Sequence, residues 1–268
     1  MNSKPSVKKG IAKYKDGSFE RIEDEIAVEK RLRIFIRGKE VISFLCSPTM
    51  VEELVVGFVM SEGFLKGKGM LCPEEILIEE NPGQKGVSGG NNDIEAHLFV
   101  ETEMVDNPPA VTSGCAKGLT FSSEEKTEYI EDDMEIKAGD IIYLFKEFQT
   151  RSNLYRLTGG VHSAALSDGK GIIVFAEDIG RHNAVDKIIG FCLLNKITTK
   201  GKILLSSGRL SSEIARKAIR VSIPILVSRT APTTMAVDIA ESYNLTLVGF
   251  LRGERFSIYS YPKRIIVS

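Results

Sequence analysis

The chain has little of what usually marks a function at first sight. Its four cysteines, Cys46, Cys72, Cys115 and Cys192, include no C-x-x-C pair, and it has only three histidines, His97, His162 and His182. A zinc site generally shows paired ligands at short spacing, so no metal site is expected. The cysteines should be thiols in a reducing compartment. Charge of one sign is not in excess: 35 basic against 36 acidic residues leave a formal net charge of −1. Nucleic acid and anionic membranes usually select a basic surplus, so neither is expected as a partner. The most evident apolar run, residues 54–60, is far too short to span a bilayer. The opening residues Met1-Asn2-Ser3-Lys4-Pro5 are polar with no apolar stretch behind them, unlike a secretory signal. A cytoplasmic protein is therefore expected. No G-x-x-x-x-G-K-S/T loop occurs, and no G-x-G-x-x-G follows a strand. Nucleotide hydrolysis and ordinary dinucleotide chemistry are disfavoured by that absence.

What is present suffices for folding without cross-links. The 268 residues are 43% hydrophobic, enough for a core in one large domain or two smaller ones. The first 25 or so residues are polar and are expected to be loose. Residues 32–36 and 41–45, joined by Arg37-Gly38-Lys39-Glu40, read as a β-hairpin. Thr49 with Glu52 three residues on forms a capping-box pattern. The helix it predicts has Leu54, Val55, Phe58 and Val59 on its apolar face and stops at Gly63. Residues 76–79 and 94–100 read as strands around a Gly/Asn-rich loop. Residues 1–108 thus form a small α+β unit, closed by Pro108-Pro109.

Residues 109–268 are read as an α/β domain. Helices are predicted over 140–148 and 152–166. Apolar runs at 171–176, 202–206, 224–228 and 245–251 then alternate with helical patterns at 181–196, 211–222 and 233–243, before a last strand at 256–260. That alternation predicts a mostly parallel sheet covered on both faces.

Ligands of such sheets bind beyond the carboxyl ends of the strands. The segments expected there are Glu177 to Asn183, Ser207-Gly208-Arg209, Arg229 to Thr233 and Arg252-Gly253-Glu254-Arg255. Arginines recur in them: Arg181, Arg209, Arg229, Arg252 and Arg255. Arginine forks and helix N-termini both favour anions, so the set suggests a phosphorylated, nucleotide-like ligand. Any single arginine reads more readily as an ordinary surface residue; it is the set at one edge that favours binding. His182 falls at this edge, with Asp186 four residues on, either on one helix face with it or solvated. His162 follows Gly159-Gly160 and has the weaker case of the two histidines.

One cysteine stands apart. Cys115 lies in Thr112-Ser113-Gly114-Cys115-Ala116-Lys117-Gly118, between glycines and two residues from a lysine. A nearby cation lowers a thiol's pKa, and the thiolate is the nucleophile. Cys46, Cys72 and Cys192 have apolar neighbours and read as small core residues.

Taken in order, Gly57-Phe58-Val59-Met60-Ser61-Glu62-Gly63, Thr158-Gly159-Gly160-Val161-His162, the run from Glu177 to Lys187, Ser206-Ser207-Gly208-Arg209 and the run from Leu247 to Phe256 resemble the formate dehydrogenase accessory sulfurtransferase family. The resemblance covers roughly residues 28–259. It implies a carrier that accepts sulfur from a cysteine desulfurase as a persulfide on Cys115. The sulfur would pass to the molybdenum bis(molybdopterin guanine dinucleotide) cofactor before insertion into formate dehydrogenase. It further implies cofactor contacts from Phe250, Leu251, Arg252, Gly253, Glu254 and Arg255, together with Arg181, His182 and Arg209 at the same edge. A cytidine-deaminase-like fold for the larger domain and a homodimer are implied as well. Family members carry C-x-x-C in the cysteine loop, whereas Gly118 takes the second position here. A single thiol still suffices to hold a persulfide. Deaminase chemistry is excluded by residue type, since His162-Ser163-Ala164 lacks the glutamate of H-x-E and no P-C-x-x-C follows.

Two other readings stay open at this point. One is a chaperone that shelters the cofactor without sulfur chemistry, which the missing second cysteine favours. The other is a thiol hydrolase pairing Cys115 with a histidine, for which the sequence supplies no geometry.

Overall fold

A chain segment that is polar throughout can still pair if its charges face one another across two strands. That is the case for β1 (Ser6–Lys15) and β2 (Ser18–Ala27). Their antiparallel register sets Lys8 opposite Glu25, Lys9 opposite Asp24 and Lys13 opposite Glu20, with Ile11 opposite Ile22 and Tyr14 opposite Phe19. Opposite charges and apolar pairs across strands each add a few tenths of a kcal/mol to about 1 kcal/mol. Asp16 and Gly17 make the turn, with φ of 49° and 85°, the conformation an Asp-Gly hairpin requires. The expectation of a loose start is thereby corrected. The structure is a computed structural model that describes residues 4–64, 73–81, 93–100, 110–112, 118–120 and 129–267.

The hairpin read at residues 32–45 is present as β3 (Lys30–Ile36) and β4 (Lys39–Cys46). Leu32, Ile34 and Ile36 alternate inward and are buried. The helix α1 (Val51–Ser61) lies against that face. Its capping box does not form: Met50 is the N-cap, in the left-handed region, with no side-chain cap. The Thr49 hydroxyl is instead drawn toward the Lys187 ammonium, 3.4 Å away. Gly63, at φ 73°, ends the helix as expected. The strands β5 (Ile76–Asn81) and β6 (Asp93–Leu98) complete a sheet of order β4-β3-β6-β5, in which β3 and β6 run parallel.

Two short strands, β7 (Ala110–Thr112) and β8 (Gly118–Thr120), pair antiparallel with Thr112 opposite Gly118. After β9 (Ile136–Lys137) comes α2 (Ala138–Thr150). The long helix expected over 152–166 is two elements. The first, α3 (Asn153–Thr158), stops at Gly159, whose φ is 65°. The second is a strand, β10 (His162–Ser167), buried on both faces, which removes the alternation that would have marked it as one. It pairs antiparallel with β11 (Ile172–Asp178).

The rest follows the predicted alternation: α4 (Arg181–Leu194), β12 (Ile203–Ser206), α5 (Ser212–Arg220), β13 (Ile225–Ser228), α6 (Thr234–Ser242), β14 (Thr246–Arg252) and β15 (Arg255–Ser260). A final short strand, β16 (Ile265–Ile266), pairs with β9. The large sheet has the order β11-β10-β12-β13-β14-β15. The α/β class holds, but the sheet is mixed rather than mostly parallel. Only β12–β13 and β13–β14 are parallel, because β10 is antiparallel to both its neighbours and β15 returns as a hairpin. Alternate residues of each central strand face opposite layers. Leu204, Leu226 and Leu247 pack under α4, α5 and α6, whereas Ile203, Ile225 and Val248 pack under α2.

The two sheets meet through α1 and α4. A Cβ on Gly57 would lie 1.8 Å from the Asp186 carbonyl oxygen, and one on Gly190 would lie 1.8 Å from that of Glu53. The helices therefore touch backbone to backbone, and only glycine fits at either position. Close by, the Lys217 ammonium contacts Asp186 at 2.7 Å and Glu62 at 2.7 Å, and donates to the Ser61 hydroxyl oxygen at 2.8 Å. Burial acts to lower the Lys217 pKa, but the Asp186 and Glu62 carboxylates outweigh it and hold the group above its ordinary value.

A candidate substrate cleft at the strand ends

The carboxyl ends of β12, β13 and β14 share one edge because these strands are parallel. The amino end of β10 joins them: Ala164 lies opposite Ser206, and His162 lies opposite Asp178 at the end of β11. The edge read from the sequence is thus correct, although β10 was missed as a member of it. Three helices begin there. Ser211 and Thr233 cap α5 and α6 with their own hydroxyls, and Gly180 precedes α4. Such N-termini present free N–H groups that favour anions.

A cleft of about 660 Å³ opens at this edge. That is the size of a typical small-molecule site. His162, Ser163, Ile179, Ser207, Arg229 and Thr230 form its floor, and Phe148, Gln149, Ser152, Tyr155 and Arg156 form a wall around α3. The wall is held by Glu177, whose carboxylate accepts the backbone N–H groups of Leu154 at 3.1 Å and Tyr155 at 3.0 Å. The floor is tied as tightly. The Gly208 carbonyl accepts both the Ser228 and the Thr230 hydroxyls at 2.7 Å. Gly208 itself rests on the Arg181 stem, where a Cβ would come within 2.8 Å.

The predicted site residues separate into two groups. Arg229 lines the cleft, and so does His162, the histidine with the weaker sequence case. Arg181, His182, Arg209 and residues 250–255 belong to the surrounding edge and are not on the cleft wall. His182 turns toward α5, with Nε2 2.9 Å from a Glu213 carboxylate oxygen and 3.3 Å from the Ser211 hydroxyl. Arg209 is exposed. The β14–β15 turn carries Phe250 at φ 52° and Gly253 at φ 61°. An aromatic residue in the left-handed region is strained and persists only where its surroundings hold it. Here the Phe250 N–H donates to the Thr230 carbonyl at 3.1 Å, which couples the turn to the cleft floor. Arg252 lies over the Phe250 ring at 5.6 Å, and Glu254 meets Lys146 at 3.1 Å. Arg255 is exposed. Leu251 is 3% exposed and packs into the core, so its side chain anchors the turn instead of facing a ligand.

Other motif residues serve the fold. Asp178 is fully buried and holds the Lys187 ammonium at 2.6 Å, the Ser47 N–H at 3.0 Å and the Asn183 amide at 2.9 Å. Asp186, which the sequence left between a partner of His182 and a solvated residue, is neither: it is buried against Lys217. His162 sits with Nδ1 3.3 Å from the Ser207 hydroxyl. Burial first, then the charges of Arg181 and His182, push its pKa below the ordinary histidine value.

Two cysteines are placed by the described residues. Cys46 and Cys192 are both buried, and burial pushes their thiols up to about 12 and about 11. Cys115 and Cys72 both lie outside the described residues. Among the described residues no group of three or more His, Cys, Asp or Glu side chains is placed to hold a metal ion, and no helix is long and apolar enough to cross a membrane.

A mixed sheet between helical layers, with a cleft and three helix N-termini at one edge, defines the class as α/β. The FdhD/NarQ family profile matches residues 27–266, and the chain belongs to that family. Relatives from two Staphylococcus aureus strains, bovine RF122 / ET3-1 and MRSA252, are both named sulfur carrier protein FdhD. Each is 38% identical over 271 residues, covering 100% of this chain and 99% of its own. The crystal structure of a formate dehydrogenase accessory protein from Desulfotalea psychrophila is 25% identical. It superposes with a TM-score of 0.75 and covers 98% of this chain and 100% of its own.

Proposed function

We propose that this chain is a sulfur carrier for formate dehydrogenase maturation. It holds a persulfide on Cys115 and hands the outer sulfur to a molybdenum bis(molybdopterin guanine dinucleotide) substrate lodged at the strand-end cleft. The observation that carries the reading is the division among the cysteines. Cys46 and Cys192 are buried with thiols that stay protonated at neutral pH. Of the two others, only Cys115 has glycines and a lysine beside it. The relatives' name supports the activity, and the size and anion-favouring edge of the cleft support the substrate.

The loading step is a thiolate exchange. The Cys115 thiolate attacks the outer sulfur of a cysteine desulfurase persulfide. A new S–S bond forms as the donor's breaks, and the donor cysteine leaves as a thiolate. Release of that sulfur as sulfide takes up two electrons. Gly118 stands where a second loop cysteine would supply them, so a thiol from another molecule must do so. Arg229 and the helix N-termini would meet phosphate oxygens, while Arg252 and Arg255 would flank them from the turn.

Formate dehydrogenase activity in cells lacking the native carrier tests the whole reading. The wild-type chain and Cys192→Ala should restore it. Cys115→Ser should not, although it should still bind the cofactor. Full restoration by Cys115→Ser would remove the carrier role.

A further inference from the structure

Ser207 is the hub of the cleft floor. Its hydroxyl oxygen accepts the Ser163 N–H at 2.8 Å and lies 3.3 Å from His162 Nδ1. Its own N–H donates to the Ser163 carbonyl at 2.9 Å, so the residue is fixed through its backbone as well. Ser163 is held from its other side by the Ser152 hydroxyl at 2.7 Å, both side chains being buried. With the Ser163 N–H accepted, the Ser207 hydroxyl still has its own proton to donate, and among the described residues His162 Nδ1 is the ring nitrogen within its reach. An imidazole that accepts at Nδ1 carries its proton on Nε2.

We infer that Ser207 is a positioning residue that fixes the His162 ring with its proton on Nε2, so that His162 meets the substrate in the cleft as a hydrogen-bond donor. The inference rests on the cleft's being the substrate site, and it adds the residue that would read a substrate acceptor atom there. Its chemistry differs from that of the arginines. Arg229, Arg156 and the nearby Arg181 supply charge, which any phosphate satisfies. A fixed neutral N–H recognises one acceptor in one direction, such as a carbonyl or ring nitrogen of a base. The charges of Arg181 and His182 oppose a second proton on the ring, while Asp178 alone favours it. The sequence weighed His162 as a possible catalyst and named Ser207 only as part of a strand-end segment. The contact that joins them spans 45 positions and appears only when β10 and β12 pair.

Ring nitrogen spectra of the full chain with isotope-labelled histidine test the tautomer without any ligand. The expected wild-type spectrum shows a protonated Nε2 and an unprotonated Nδ1 for His162. Ser207→Ala should turn that into a mixture, and Ser207→Thr, which keeps the hydroxyl, should restore it. A protonated Nδ1 in the wild type, or an unchanged spectrum in folded Ser207→Ala, would overturn the assignment. Guanosine diphosphate is the probe for the substrate half. Its affinity should fall roughly tenfold in Ser207→Ala and return in Ser207→Thr, the cost of one misdirected hydrogen bond. Loss of the tautomer with no change in affinity would refute His162 as a reader. No binding by the wild type would refute the cleft as the nucleotide site, and the substrate half with it, whereas the spectra would still decide the tautomer.

Discussion

The thiol of Cys46 titrates near 12 because burial and the Asp178 carboxylate both disfavour its anion. At neutral pH only about one such group in 10⁵ is ionised, so it cannot compete as a nucleophile. Brief alkylation of the native chain at pH 7 should therefore leave Cys46 and Cys192 unlabelled, and denaturant should expose both. Peptide mapping that finds Cys46 modified in the folded chain would contradict this. His162 gives a prediction of opposite character. Its folded pKa lies below the ordinary value, so near pH 6.5 the unfolded chain binds a proton that the folded chain refuses. Its contribution is intact above about pH 6.5 and is lost as pH falls toward the folded value. The urea midpoint of the wild type should drop over that interval, and His162→Gln should drop less; equal slopes would remove the assignment. At this scale the sequence singled out Cys115, which lies outside the described residues, and five arginines, of which Arg229 lines the cleft. It placed Ser207 only within a strand-end segment and left Asp186 between two readings that both fail, because their partners are brought in by other elements.

Among the elements, the crossing of α1 and α4 is the most demanding. Both Gly57 and Gly190 would drive a Cβ into a carbonyl of the other helix. Gly57→Ala or Gly190→Ala should cost about 3 kcal/mol, at the upper end for overpacking, read as a lowered urea midpoint. A neutral result would mean that the helices separate easily. The neighbouring ion cluster makes a second test. Lys217→Met leaves the Asp186 carboxylate buried without its cation, at a cost of about 3–5 kcal/mol. Adding Asp186→Leu should recover part of that loss, since the buried charge goes too; additive losses would show that the two do not act as a pair. Most elements were legible in the sequence because their apolar periodicity is regular. The failures have physical causes. The β1–β2 hairpin hides its pattern in paired charges, although Asp16-Gly17 marks the turn. The strand β10 is small-residued and buried on both sides, so it lacks the alternation of an edge or half-buried strand.

For the whole molecule, the mixed sheet brings five segments that are far apart in the chain to one edge, and the FdhD/NarQ family profile spans nearly all of it. The edge was readable in advance because the parallel core, β12 to β14, already fixes it. The antiparallel β10 adds its amino end to the same place, where His162 and Ser163 join the cleft floor. The account joins this edge to a single thiol that carries sulfur to it. The most direct test is to incubate the protein with a cysteine desulfurase and free cysteine, and then to measure the intact mass of the wild type and of Cys115→Ser. The account predicts a reducible gain of one sulfur atom in the wild type and none in the variant. No gain in the wild type, with the desulfurase shown to be active, would contradict it and leave a protein that shelters its substrate without carrying sulfur.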